Sequence, residues 1–233
     1  MSPEVVYGRN PVRELLRAGR RGTVGVFALP QVAGEPWLAD GAVEERSRAE
    51  LGRMAGTSDH QGVVALAEPY PYALPAELLE AAGPLVALDG AQDPRNLGAI
   101  ARVAEAAGAA GMVIAERGSP GVTAVVCKAS AGAVEHLLVA RAPSMAAFVH
   151  DAAGAGRLAV GADAERGEDY ASLDWPADPL LVMGAEGTGL RPRVRRACGR
   201  LVRIPMAGKI GSLNVSVAAG VLLFHVRRGL PER

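Results

Sequence analysis

Beyond residue 83 the chain alternates short apolar runs, at 85–88, 112–115, 137–140, 158–161, 180–183 and 201–204, with stretches of helical periodicity. Runs of this length and apolarity, separated by helices, call for a parallel sheet buried on both faces. The 233 residues suffice for a substantial core in one or two domains, and 49% hydrophobic with only 4% aromatic residues describes an Ala/Val/Leu-packed α/β protein. No apolar run reaches membrane-spanning length, and Arg9 and Arg13 stand where a signal peptide needs its apolar segment, so a soluble, cytoplasmic protein is expected.

Residues 1–68 read as a smaller α/β unit, with a helix at 11–18, a strand around 24–29, a charged helix at 42–54 and a strand at 63–66. Pro69, Pro71 and Pro75 then resist both helix and central strand, which makes 69–82 the expected linker and 83–233 the second domain.

Cys127 and Cys198 lack companions at metal-ligand spacing, so reduced thiols and no structural metal are expected. Formal charge is zero, which argues against nucleic-acid affinity from bulk charge alone. The cations nevertheless cluster, and Lys128 and Lys209 are the only lysines among them. One group is Arg9, Arg13, Arg17, Arg20 and Arg21; the other is Arg191, Arg193, Arg195, Arg196, Arg200 and Arg203. Either is a solvated helix face or a phosphate track, for which guanidinium geometry is suited.

Three constellations follow strand ends. In the first, Asp93-Pro94 starts a helix whose core stripe is Ile100, Val103, Ala104 and Ala107, while Arg95, Gly98 and Arg102 share another stripe. That second stripe is an exposed arginine face or a place where a phosphate or ribose approaches the helix closely. In the second, Gly184, Gly187 and Gly189 allow close backbone approach around Glu186, which is either a turn carboxylate or a ligand group at a strand's carboxyl end. The glycine spacing fits neither a dinucleotide fingerprint nor a P-loop, which disfavours a nucleotide-dependent oxidoreductase. The third runs from Ile204 through Pro205, Gly208 and Gly211 to Ser212, a candidate helix cap, and Asn214. The apolar positions 213, 217, 220, 221 and 224, with Val215 and Leu222, predict a helix buried on most sides. Asn214 closes its turn locally or holds a ligand. In a parallel sheet all three loops converge on one edge.

These residues carry a resemblance. Asn96-x-Gly98-x-Ile100-x-Arg102, Gly184-Ala185-Glu186-Gly187-Thr188-Gly189-Leu190, and Ile204-Pro205-Met206 through Ser212-Leu213-Asn214-Val215-Ser216 match, in order, the motifs of the SpoU/TrmH group of SPOUT RNA methyltransferases. Tyr7-Gly8-Arg9-Asn10-Pro11-Val12 and His60-Gln61-Gly62-Val63 resemble the RNA-substrate-binding domain that precedes the catalytic domain in RlmB-like 23S rRNA methyltransferases. Without that context, His60 reads as a turn histidine.

The resemblance implies a C-terminal domain with a deep trefoil knot, S-adenosylmethionine held in a bent pose, and a homodimer with the active site near its interface. It assigns cofactor contacts to Gly184, Ile204 and Leu213, and a catalytic group of Asn96, Arg102, Glu186, Ser212 and Asn214. The implied reaction methylates a ribose 2′-hydroxyl, which makes RNA and not DNA the partner. The N-terminal unit directs the expectation to 23S rRNA, at a guanosine of the peptidyl-transferase P loop. Family proposals make the arginine matching Arg102 the base; a guanidinium with a pKa above about 12 is better suited to fixing a phosphate and polarising the hydroxyl. The other readings are a non-catalytic RNA-binding or ribosome-assembly protein, and a relative acting on tRNA or an antibiotic-resistance site of rRNA.

Overall fold

The computed structural model describes residues 2–39, 41–90 and 92–229. Residue 91 of the first constellation and the ends of the two expected domains, at residue 1 and at 230–233, lie outside the described residues.

The chain begins with β1 (Glu4–Tyr7), α1 (Arg9–Ala18), β2 (Thr23–Ala28), α2 (Pro30–Ala33), β3 (Val43–Glu45), α3 (Arg48–Ala55) and β4 (Val63–Ala67). Their sheet has the order β1-β4-β2-β3, antiparallel except for the β2/β3 pair. Two expectations need correction. Glu4–Tyr7 is a strand, which four residues without alternation do not announce. The charged run at 42–54 is not one helix: Val43 to Glu45 pair with Val26 to Ala28, and the helix starts only at Arg48. Ser47 fixes that start, because its hydroxyl accepts from the Glu50 N–H while the Glu50 carboxylate accepts from the Ser47 N–H.

The second part contains α4 (Pro75–Glu80), β5 (Leu85–Asp89), α5 (Pro94–Ala106), β6 (Gly111–Ala115), α6 (Ala124–Ala129), β7 (Leu138–Ala142), α7 (Met145–Gly154), β8 (Ala159–Ala162), β9 (Glu168–Asp169), β10 (Leu180–Gly184), α8 (Pro192–Ala197), β11 (Arg200–Arg203) and α9 (Val215–Arg228). Its seven strands form one parallel sheet in the order β7-β6-β5-β10-β8-β11-β9. Successive residues of β5 serve opposite layers: Val86 and Leu88 belong to one core cluster with Leu97 and Ile100 of α5, Leu85 and Ala87 to another with Met145 and Phe148 of α7. No helix of the described residues is long and apolar enough to cross a membrane.

The expected linker is structure, not tether. Pro75 occupies the first turn of α4, where its missing N–H costs nothing, and Ala73 donates to the Val139 carbonyl alongside β7. Tyr70 is buried and its hydroxyl lies 2.9 and 2.8 Å from the Val134 and Leu137 carbonyls. Beside it, Arg21 of the first part meets Glu135 of the second, Nη2 to Oε1 at 2.6 Å and Nε to Oε2 at 3.2 Å, with side chains 2% and 1% exposed. Arg21 Nη1 also reaches Glu4 at 2.8 Å and the Glu68 carbonyl at 3.1 Å. Leaving either charge without its partner here should cost about 3–5 kcal/mol, because burial makes an unpaired ion expensive. Both thiols are free, and burial pushes Cys127 and Cys198 each up to about 12, which favours their protonated forms.

Helix α9 departs from the expected burial on most sides. Ala219, Leu222, Leu223 and Val226 are buried, whereas Val217 is 52% and Phe224 49% exposed. The buried side packs on α5, and the 213, 217, 224 stripe faces away from this chain's core. Periodicity counts apolar residues on a helix; it does not say whether the same chain covers them.

Candidate active site

The carboxyl ends of β5, β10 and β11 fall on one edge of the parallel sheet, and the three sequence constellations meet there. At β5, Asp93 caps α5 by accepting from the Arg95 N–H at 2.7 Å, and Pro94 fills the first turn, which sets Asn96 one residue beyond Arg95 in that turn. At β10 the chain folds back on itself: Ala185 and Gly189 exchange N–H···O bonds of 3.1 and 2.9 Å, with Gly187 at φ +80° and Gly189 at φ +66°. This tight loop holds Glu186 out at its tip. A Cβ at Gly184 would stand 2.2 Å from the Gly189 carbonyl carbon and 2.4 Å from the Leu190 nitrogen, so only glycine fits.

After β11, residues 204–214 lead into α9. Its cap is Asn214, not Ser212, because the helix begins at Val215. The Asn214 carboxamide oxygen accepts from the Ser216 N–H at 2.9 Å and from its hydroxyl at 2.6 Å. Its nitrogen remains free to donate to Asn96 Oδ1 at 3.1 Å, and Asn96 Nδ2 donates in turn to Glu186 Oε2 at 2.9 Å. Of the two roles left open for Asn214, the local one is seen: its oxygen closes the turn, while its nitrogen reaches across to Asn96 of α5, which follows a different strand. The donor direction runs from Ser216 through Asn214 and Asn96 to a carboxylate, which fixes the orientation of every amide in the series.

A cavity of about 790 Å³ opens beside this series. Gly184, Glu186, Ile204, Ser212, Leu213 and Asn214 all line it. Asn96 joins through its bonds to Glu186 and Asn214, whereas Arg102 lies further along α5, exposed, in no ion pair among the described residues and outside the lining. Gly98 serves neither of the readings offered for its stripe: a Cβ there would be 2.6 Å from the Ala129 Cβ and 2.8 Å from the Val126 carbonyl, so its absence lets α5 and α6 close on each other. The reading of loops missed residues 162–165 at the end of β8, which also line the cavity. Asp163 organises them, its Oδ1 accepting from the Glu165 and Arg166 N–H groups at 3.0 and 3.1 Å. The signal is the position of β8 between β10 and β11, and strand order is not written in periodicity.

The two resembling N-terminal motifs also meet. Gly8 at φ +97° donates to the Val63 carbonyl, and the Arg9 N–H to Gln61 Oε1 at 3.1 Å. His60 is buried, its Nδ1 accepting from the Gly62 N–H at 3.1 Å, and burial lowers its pKa. Lys128 of α6 donates to the Asp59 carbonyl at 3.0 Å, which docks this turn on the second part.

Two family models match the chain: the SpoU rRNA Methylase family over residues 83–224, and RNA 2′-O ribose methyltransferase substrate binding over residues 5–73. An uncharacterized tRNA/rRNA methyltransferase of Mycobacterium avium is 45% identical over 239 aligned residues, covering 97% of this chain and 77% of the relative. Among solved structures, the AdoMet-bound rRNA methyltransferase of Sinorhizobium meliloti is 29% identical with a TM-score of 0.82, covering 99% of this chain and 89% of its own. The SpoU methyltransferase AviRb of Streptomyces viridochromogenes, in complex with AdoMet, is 26% identical with a TM-score of 0.79, covering 98% and 90%. With a family model spanning the edge, the glycine loop and most of α9, and a relative of this identity along nearly its entire length, the chain belongs to the SpoU rRNA methylase family.

Proposed function

We propose that the protein transfers a methyl group from S-adenosylmethionine to a ribose 2′-hydroxyl of 23S rRNA, at a guanosine, and acts as a homodimer. The observation that carries this reading is the Glu186–Asn96–Asn214 series at the rim of the cavity. The cavity fits the cofactor. Met183, Ile204, Leu213 and Leu222 offer apolar walls for an adenine, the Gly184 cradle leaves main-chain groups accessible, and Glu186 and Asn214 supply polar partners. Gly184, Ile204 and Leu213 would hold it, largely through backbone groups. When bound, S-adenosylmethionine supplies a sulfonium methyl that is already electrophilic.

The chain's task is then alignment. A ribose hydroxyl is a poor nucleophile at neutral pH, and holding it in line with the reacting carbon can supply several kcal/mol of the barrier. Asn96 and Asn214 are oriented for that by their bonds, with Ser212 beside them and the Glu186 carboxylate as terminal acceptor. Arg102, exposed on α5, would reach a phosphate of the bound RNA and polarise the hydroxyl. Residues 1–68 would grip the RNA, 69–82 connect, and 83–233 form the catalytic domain. The placement of β10 between β5 and β8, with the chain returning through 204–214, accords with a trefoil knot around the cavity. The match of residues 5–73 to a substrate-binding model supports RNA as the partner, and the rRNA methyltransferase of Sinorhizobium meliloti supports rRNA.

Calorimetry should give saturable heat with S-adenosylmethionine, and labelled methyl should appear on ribose in a 23S transcript. Absence of binding heat would return the protein to a non-catalytic RNA-binding role. Arg102→Ala should bind cofactor as the unmodified protein does and transfer no methyl; normal turnover would remove Arg102 from the catalytic group.

A further inference from the structure

The second arginine cluster divides into paired and unpaired members. Arg195 Nε lies 2.9 Å from Asp163 Oδ2, Arg200 Nε donates to Glu168 Oε1 at 2.8 Å, and Arg191 clasps the buried Asp89 through its main-chain N–H at 2.8 Å and Nε at 2.6 Å. Arg193 and Arg196 of α8 make no ion pair among the described residues, and neither does Arg117 in the loop after β6. These three, with Arg191, line a second cavity of about 600 Å³, and no carboxylate and no aromatic ring shares its lining.

The chain has as many acidic as basic side chains, 25 of each, so four guanidinium groups around one hollow is a local segregation that total charge hides. Three of the four, Arg117, Arg193 and Arg196, have no ion-pair partner among the described residues, so they repel one another and an anion relieves the repulsion. The first residues of α7, Met145 and Ala146, also line the hollow, and their N–H groups have no acceptor within the helix. The hollow lies at the carboxyl ends of β6 and β7, on the same edge of the sheet as the cofactor cavity over β10, β8 and β11, with β5 and its Asp89–Arg191 clasp between. A linear polyanion laid along this edge reaches both.

We propose that this hollow binds phosphodiester groups of the RNA flanking the target nucleotide, with Arg117, Arg193 and Arg196 as the phosphate contacts. The proposal rests on the functional reading above. Guanidinium forks match phosphate oxygens two at a time, and without an aromatic platform the hollow reads backbone and not base.

The test uses the full-length protein and fluorescein-labelled transcripts, one a 23S rRNA fragment and one a tRNA, followed by anisotropy across a series of KCl concentrations. The triple variant Arg117→Ala/Arg193→Ala/Arg196→Ala should weaken binding of the preferred transcript and flatten the slope of log K against log[KCl] by about 2, at about 0.7 for each phosphate of single-stranded RNA that is no longer neutralised. Arg200→Ala, which removes an already paired cation, should leave the slope unchanged. An unaltered slope in the triple variant overturns the proposal. Tight binding of pyrophosphate or GMP to the unmodified protein, lost in the triple variant while the RNA slope stays the same, would make the hollow a small-phosphate site and overturn it equally. Calorimetry with S-adenosylmethionine separates the two readings: heat equal in variant and unmodified protein is expected, and no heat in either sinks the functional reading while the salt slope still judges the hollow.

Discussion

Asn96 has both ends of its carboxamide engaged, accepting from Asn214 and donating to Glu186, so it ties together the segments that follow β5, β10 and β11. Asn96→Asp replaces a donor with a second carboxylate at a position 2.9 Å from Glu186, and the two negative charges cannot both stay there. Methyl transfer should fall by about two orders of magnitude, as for loss of one oriented donor. Thermal stability should change little, since a net hydrogen bond is worth only about 1 kcal/mol and the cluster is partly open to solvent. An Asn96→Asp enzyme with normal turnover would exclude the series from catalysis. Glu186 and Asn214 are legible in the sequence from their places after apolar runs, and Asn96 only through the motif that carries the family resemblance. Their mutual bonds are not, because these depend on which strands are neighbours. His60 gives a second test. Its Nδ1 accepts a hydrogen bond that protonation would abolish, and burial lowers its pKa below the ordinary 6.5. The unfolded chain therefore takes up the proton first as pH falls. Stability from this group is complete above about pH 6.5 and declines below it. Urea midpoints at about pH 7.5 and about pH 5.5 should differ more in the unmodified protein than in His60→Gln, and equal differences would refute the assignment.

Six of the seven strands of the large sheet declare themselves as apolar runs, with observed bounds within two residues of the expected ones, whereas β9, two polar residues at the sheet's edge, has no such run and was not expected. Edge and surface elements declare less. Glu4–Tyr7 is brief, and Val43–Glu45 hides inside a charged stretch whose strand character comes from its pairing with β2. Glycines were legible as sites of close approach, but not as to what approaches: at Gly98 it is another helix, at Gly184 the chain's own returning loop. The second case is testable. In Gly184→Ala the added methyl meets main-chain atoms of Gly189 and Leu190 that cannot rotate aside, so the 184–190 loop must move. Calorimetric heat with S-adenosylmethionine should be lost, and the fold, whose core lies below this edge, should survive with a near-unchanged far-ultraviolet spectrum. Cofactor binding at full affinity in Gly184→Ala would show that the loop does not cradle the ligand.

The Arg21–Glu135 pair and the docked 69–82 segment join the two parts through a continuous core, so the RNA grip proposed for the first would present its substrate to the edge of the second without a flexible tether. One surface of this unit remains unexplained by the single chain. Val217 and Phe224 stand on one face of α9, and Met206, Ile210 and Leu213 lie in the loop before it, all between 37% and 75% exposed. A row of apolar side chains beginning at the lining of the larger cavity, where Met206 and Leu213 belong to both, is the pattern expected of a subunit contact that would also close the proposed site. A second copy related by a two-fold axis would bury the stripe against itself, and each buried square ångström of apolar surface favours association by about 25 cal/mol. Phe224→Glu places a charge at the α9 end of the row without touching the buried side of the helix. Sedimentation should then give a monomer where the unmodified protein gives a dimer, with unchanged helical content, and methyl transfer should fall because the cavity's outer wall is missing. If the unmodified protein sediments as a monomer and turns over, the stripe is no subunit contact; if Phe224→Glu stays dimeric, the two-fold axis passes through another surface.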